Sequence, residues 1–212
     1  MTAKPRFVQP DGFKLLPGYF SPDQQRALAR TVLAALDAAP LYRPCMPRTG
    51  APLSVQMSNF GPLGWISDRE GYRYQTMHPD TGAPWPPLPQ ALRDLWAGVG
   101  DWPDAPEACL INWYDAGARL GLHVDADEDA KFAPVVSVSL GDRARFRLGG
   151  ADRKAATASF ILSSGDVVVL GGPSRRCFHG VDRIYPGTSS LLPERWRPGR
   201  INLTLRRVHR SG

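Results

Sequence analysis

Two of the chain's four histidines stand where chemistry can use them. His123 and Asp125 form a His-x-Asp pair at the end of an apolar run, and the period of two in a strand puts both side chains on one face. His179 lies in a second strand-like run, 177–181, and is followed by Gly180. Two imidazoles and one carboxylate on one side of a metal leave the other side open, which suits an Fe(II) that must also take O2 and a co-substrate. A closed structural site would call for a fourth protein ligand. Ligand type alone leaves zinc as an alternative. His78 and His209 have no evident partner in the sequence and are expected at the surface.

The strand-like run at 200–206 is the second chemical signal. Ile201, Leu203 and Leu205 alternate with Arg200, Asn202, Thr204 and Arg206. If the apolar face meets an outer layer, the polar face points into a barrel, with the two arginine backbones about 20 Å apart. Their long side chains can lean onto the two ends of a small diacid, and a 2-oxo-diacid would also reach the metal with one end. Asn112 and Tyr114, again two apart, could add neutral hydrogen bonds. The alternative is a solvent-facing polar face on an edge strand. An arginine inside a barrel needs a partner, so metal and arginines support one another.

The elements that must position these residues are also legible. Ser21-Pro22-Asp23-Gln24 predicts a capped helix start, and Leu28, Val32, Leu33 and Leu36 continue it to about residue 39. Leu92, Leu95, Trp96 and Val99 predict a second helix over 89–99. Residues 40–87, rich in Pro and Gly, suit short strands and turns. After Gly100 come eight short apolar or alternating runs separated by turn residues, at 108–114, 119–123, 135–140, 145–148, 158–162, 166–170, 177–181 and 200–207. They predict an α+β chain built on an antiparallel barrel or jelly roll. The 212 residues fit one domain, with no internal repeat.

Composition narrows the function. No apolar run approaches the ~20 residues of a membrane span, and the polar N-terminus lacks a signal-peptide core. Three scattered cysteines, Cys45, Cys109 and Cys177, argue against a disulfide framework, so a reducing cytoplasm is expected. The formal charge is +6, and 22 of the 26 basic residues are Arg, nine of them from Arg175 onward. Such a balance suits a nucleic-acid partner, although a GC-rich genome would also enrich Arg. Asp127-Glu128-Asp129 is most simply a solvated loop.

His123-x-Asp125, His179 and Arg200-x-Asn202-Leu203-Thr204-x-Arg206 resemble the AlkB family, above all its bacterial members. These are Fe(II)- and 2-oxoglutarate-dependent dioxygenases that remove alkyl groups from nucleic-acid bases. Leu63-Gly64-Trp65, Gly71-Tyr72-x-Tyr74, the segment 108–114, the segment 134–141 and Gly165-Asp166-Val167-Val168-Val169 carry the likeness across about 41–207. The resemblance implies a double-stranded β-helix core over about 108–212, with an N-terminal helical layer and a β-rich substrate lid over about 1–107. It implies Fe(II) on His123, Asp125 and His179, with O2 and 2-oxoglutarate as co-substrates. Arg200 would hold the distal carboxylate of 2-oxoglutarate, helped by Asn112 and Tyr114, and Arg206 the carboxylate near the metal, with Asn202 alongside. Trp65 would stack on a flipped base with His123 on its other face. Tyr72 would contact the substrate backbone, Asp127 the base edge, and Arg153 would lie near the substrate.

The implied reaction couples 2-oxoglutarate decarboxylation to hydroxylation of the alkyl carbon and release of an aldehyde. The substrates would be 1-methyladenine and 3-methylcytosine in single-stranded DNA, with double-stranded DNA or RNA as further substrates, and no obligate protein partner is expected. Two departures are noted: residues 45–53 of the lid, and Leu170, where other members carry a large aromatic. The rival functions are a hydroxylase of the same fold acting on a protein or small molecule, and a nucleic-acid-binding module without catalysis. DNA competition against 2-oxoglutarate turnover separates the first, and undiminished DNA binding by His123→Ala, with no turnover in the parent, would favour the second.

Overall fold

A computed structural model describes residues 7–210. Helix α1 (Pro22–Ala38) begins as its sequence predicts: the Ser21 hydroxyl accepts from the Gln24 N–H, and the Gln24 side chain accepts from the Ser21 N–H, with Pro22 in the first turn. Helix α2 (Gln90–Val99) buries Leu92, Leu95 and Trp96.

The strands before α2 are β1 (Phe13–Leu16), β2 (Gln56–Phe60), β3 (Gly64–Asp68) and β4 (Gly71–Gln75). After it come β5 (Ala108–Tyr114), β6 (Leu120–His123), β7 (Val135–Gly141), β8 (Arg143–Leu148), β9 (Ala158–Leu162), β10 (Val167–Leu170), β11 (His179–Tyr185) and β12 (Arg200–Arg206). All eight runs predicted after Gly100 are strands. One antiparallel sheet has the order β1-β10-β7-β12-β5-β2, and a second has the order β6-β11-β8-β9. A separate hairpin, β3-β4, stands apart from both. β1 and β2, from the N-terminal half, extend the two edges of the major sheet, whose inner strands β10, β7, β12 and β5 all follow residue 107.

The core has two compartments. Leu28, Val32, Leu36, Leu92, Leu95 and Trp96 of the helices pack on one face of the major sheet, against Ile111, Val136, Val138, Ile201, Leu203 and Leu205. The other compartment lies between the sheets, where Leu110, Tyr114, Val168 and Leu170 face Phe146, Leu148, Leu162 and Val181. Helix-on-sheet and sheet-on-sheet layers together bury both faces of the major sheet. No described helix is long and apolar enough to cross a membrane.

His78 corrects its expectation. It is 1% exposed, with Nε2 2.8 Å from the Pro40 carbonyl and Nδ1 facing the N–H groups of Asp80 and Thr81. It is a structural plug beside Tyr42 and Trp85. His209 is exposed as expected but has a partner, with its Nδ1 2.8 Å from a Glu107 carboxylate oxygen. The C-terminal arginines do not form one basic surface, since Arg175, Arg200 and Arg206 are buried.

Candidate active site

Residues 123 and 179 meet because β6 and β11 pair in register at His123 and His179. Gly180 permits the close approach: a Cβ there would lie 2.6 Å from the Leu120 carbonyl oxygen and 2.8 Å from that of Gly121. Asp125, two residues past His123, turns back between the rings. Its carboxylate oxygens lie 3.5 Å from His123 Nε2 and 3.8 Å from His179 Nε2. The three potential ligand atoms all lie within 4.8 Å of one another.

The ring hydrogen bonds fix the tautomers. His123 Nδ1 is 2.9 Å from the Gly121 carbonyl and His179 Nδ1 is 3.1 Å from the Cys177 carbonyl. A carbonyl only accepts, so each Nδ1 carries the proton and each Nε2 lone pair points at the centre. Burial and the nearby His123 charge push the His179 pKa down to about 4. Burial also works against a charged His123, but its hydrogen bond to Asp125 and that carboxylate's charge raise its pKa overall. Burial would raise the Asp125 pKa. Arg206 and the two imidazoles outweigh it and hold the carboxyl well below the usual range.

A cavity of about 470 Å³ opens over this group. It brings together all the residues predicted from sequence: Trp65, Tyr72, Asn112, Tyr114, His123, Asp125, Asp127, Arg153, His179, Arg200, Asn202 and Arg206. The polar face of β12 points into it and the apolar face packs under the helices.

Arg200 is 1% exposed and donates from Nη2 to Ser139 Oγ at 2.9 Å, while its Nε and Nη1 have no partner. Its guanidinium lies 5.4 Å from the centre of the Tyr114 ring. Burial pushes the Tyr114 phenol up to about 12, which keeps it a neutral hydrogen-bonding group. The buried Asn112 Oδ1 and Asp125 Oδ2 are likewise unpartnered. Buried polar atoms without partners are rare in folded proteins. Here they surround one cavity, and their chemistry matches an acidic co-substrate and a cation. Asn202 is different: its Nδ2 already donates to Ser137 Oγ and the Val138 carbonyl, and its Oδ1 accepts from Thr204. It braces the β12–β7 floor.

Glu128 corrects the solvated-loop expectation. It is 2% exposed, accepting from Arg175 Nη2 at 2.8 Å and from the Tyr74 hydroxyl. Arg175 also donates to the carbonyls of Ala133 and Asp125, so it pins the loop that carries Asp125. Arg206 donates to Asp125 Oδ1 at 2.9 Å and to the Tyr74 hydroxyl at 3.2 Å. Tyr74 lies on β4, so the β3-β4 hairpin is tied through Arg206 to the Asp125 carboxylate. The signal that could have found Arg175 and Glu128 was weak, since each sits in a polar, turn-like stretch.

At the mouth, Trp65 and Tyr72 face each other across β3 and β4, with rings 5.7 Å apart and 17° from parallel. The Trp65 indole N–H donates to Asp127 at 2.8 Å. The Trp65 backbone is fixed from behind by Asn59 and by the Tyr42 hydroxyl. Arg153, on the β8–β9 connection, lies over the Phe178 ring.

Residues 12–206 match the family model of the 2OG-Fe(II) oxygenase superfamily. The chain is 54% identical over 210 residues to an alpha-ketoglutarate-dependent dioxygenase AlkB homolog of Caulobacter vibrioides, covering 98% of this chain and 92% of the relative. It is 42% identical over 171 residues to alpha-ketoglutarate-dependent dioxygenase AlkB of Escherichia coli, covering 79% and 77%. The solved structure titled "The structure of OsALKBH1" superposes with a TM-score of 0.75 at 33% identity, covering 95% of this chain and 100% of that one.

Proposed function

Because the chain belongs to the AlkB family of 2OG-Fe(II) oxygenases, we propose that it removes alkyl groups from the ring nitrogens of bases in single-stranded nucleic acid, 1-methyladenine and 3-methylcytosine in DNA foremost. We take residues 1–212 as one catalytic unit. The observation that carries the substrate reading is the mouth of the cavity, where two parallel aromatic rings and a carboxylate stand over the His-Asp-His group. A π-face accepts an unstacked base, and a carboxylate favours an alkylated, cationic base over a neutral one.

His123 Nε2, Asp125 and His179 Nε2 would hold the Fe(II). The unpartnered N–H groups of Arg200 would take the distal carboxylate of 2-oxoglutarate, with Asn112 and Tyr114 beside it. Arg206 would neutralise charge on the metal side while keeping Asp125 ionised. Iron and 2-oxoglutarate, when bound, supply oxidising power from O2, with succinate and CO2 as co-products. The chain's own part is to aim the alkyl carbon at the metal and to exclude water. Each Nδ1 keeps its proton and donates it in a hydrogen bond to a backbone carbonyl, so neither imidazole is free to act as an acid. Trp65 and Tyr72 would part to admit the base, and Asp127 would exchange the indole N–H for the base edge.

The test is anaerobic reconstitution with Fe(II) and 2-oxoglutarate, followed by O2 and an oligonucleotide carrying 1-methyladenine. Loss of one methyl mass with formaldehyde release is expected, dependent on both cofactors and absent in His179→Ala. Succinate formed without demethylation would overturn the substrate reading and keep the oxygenase.

A further inference from the structure

The arginines that remain at the surface are not scattered. On β8, Ala144, Phe146 and Leu148 point into the inter-sheet core. Arg143, Arg145 and Arg147 therefore point out, about 7 Å apart along the strand. The register on β11 sets Arg183 beside Arg145 and Tyr185 beside Arg143. Both helices pack on the other sheet, so this outer face is open to solvent. Its exposed aliphatic side chain is Ile161, far less apolar surface than the centre of a protein interface needs.

Asp182, on a bulge of β11, draws Arg145 (2.7 Å) and Arg147 (3.8 Å) toward each other. That leaves guanidinium N–H groups free, since each guanidinium carries five donors. Among the described residues neither Arg143 nor Arg183 has a carboxylate partner, and Arg183 lies over the Tyr185 ring. Four arginines against one aspartate make a positive stripe. At one end Arg147 pairs with Gly180, next to His179, and the connection beyond Leu148 carries Arg153 to the mouth of the cavity.

We propose that this stripe, running from Arg153 through Arg147, Arg145 and Arg183 to Arg143, is a track for the phosphate backbone of the strand whose base enters the cavity. The inference rests on the nucleic-acid reading above. Phosphate contacts carry affinity without sequence preference. The track lets a long strand bind more tightly than the few nucleotides that fill the mouth, whatever the sequence beyond the target base.

The test compares the parent protein with an Arg143→Gln/Arg183→Gln variant in fluorescence-anisotropy titrations over a range of salt. The probes are an unmodified single strand of roughly 16 nucleotides and a trinucleotide carrying the alkylated base. For the long strand the variant should lose roughly tenfold or more in affinity, and its log–log salt slope should shrink by about 1.4, two contacts at ~0.7 each. Trinucleotide binding should not change, and Arg143→Lys/Arg183→Lys should restore the slope. Unchanged long-strand affinity and slope in the Gln variant would overturn the track while leaving the proposed function intact. Failure of the parent to bind either probe would overturn both. Polyglutamate competing as well as DNA for the parent would show a general surface for acidic proteins, and the proposal would fall.

Discussion

Each histidine of the metal group titrates in its own direction, and stability follows. His179 is held neutral down to about pH 4. As pH falls from ~6.5 to ~4, the unfolded chain therefore takes up a proton that the folded chain refuses, and stability drops. Taken alone, this histidine should cost the metal-free protein up to roughly 3 kcal/mol across that window. His123, with its raised pKa, works the other way: its contribution is present at low pH and lost as pH rises through the folded value. Urea denaturation of metal-free protein from pH 7 to 4.5 should show a loss of stability that His179→Gln reduces or reverses. Equal slopes in both proteins would contradict the assignment. Arg200 offers a second test. It is buried with Ser139 as its hydrogen-bond partner, and no carboxylate lies within ion-pair distance among the described residues. Arg200→Met should therefore stabilise the ligand-free protein, by about 1–4 kcal/mol, and abolish the rise in Tm that 2-oxoglutarate gives to metal-loaded, oxygen-free protein. A fall in ligand-free Tm would count against a guanidinium held ready for a ligand.

The strand β12 shows why one element could be read so far from sequence. Its strict alternation names two faces, and both neighbours pair with it along its whole length, with Asn202 opposite Asn112 and Ser139. Burial on both faces then makes polarity the sole discriminator between helix side and cavity side. The loop after His123 was legible only in part. Asp127, Glu128 and Asp129 are alike in sequence, but Glu128 turns inward because Arg175, 47 positions away, needs its carboxylate. No periodicity reports that pairing. Glu128→Ala should leave Arg175 buried without its counter-charge and strip Tyr74 of its acceptor. The expected cost is about 3–5 kcal/mol, together with weaker metal binding, because Arg175 also holds the Asp125 carbonyl. Thermal melts and metal titrations check both. Unchanged metal affinity would confine Glu128 to stability.

Over the whole molecule, the eight strands after Gly100 were legible because each is short, apolar or alternating, and fenced by turn residues. β1 was not: Phe13–Leu16 is a four-residue strand in a polar neighbourhood, and it is strand only because β10 offers a free edge. The same non-local dependence hid His78, whose burial comes from Tyr42, Trp85 and the Pro40 carbonyl. The two core compartments give the architecture a separable consequence. Leu95, on α2, packs on the face of the major sheet away from the cavity, whereas Phe146 lines the cavity and has its ring 6.0 Å from that of His179. Both are buried, so Leu95→Ala and Phe146→Ala should each destabilise the fold, by about 2–5 kcal/mol. Leu95→Ala should leave the KM for 2-oxoglutarate unchanged at a temperature where the protein stays folded, because the major sheet and its strand pairings stand between the lost volume and the site. Phe146→Ala should also loosen His179 and lower metal affinity. Urea midpoints, metal titration and KM measured on the same preparations decide it. A shift in KM from Leu95→Ala as large as that from Phe146→Ala would mean that the major sheet transmits packing changes from one compartment to the other, and that the site depends on the helices for more than stability.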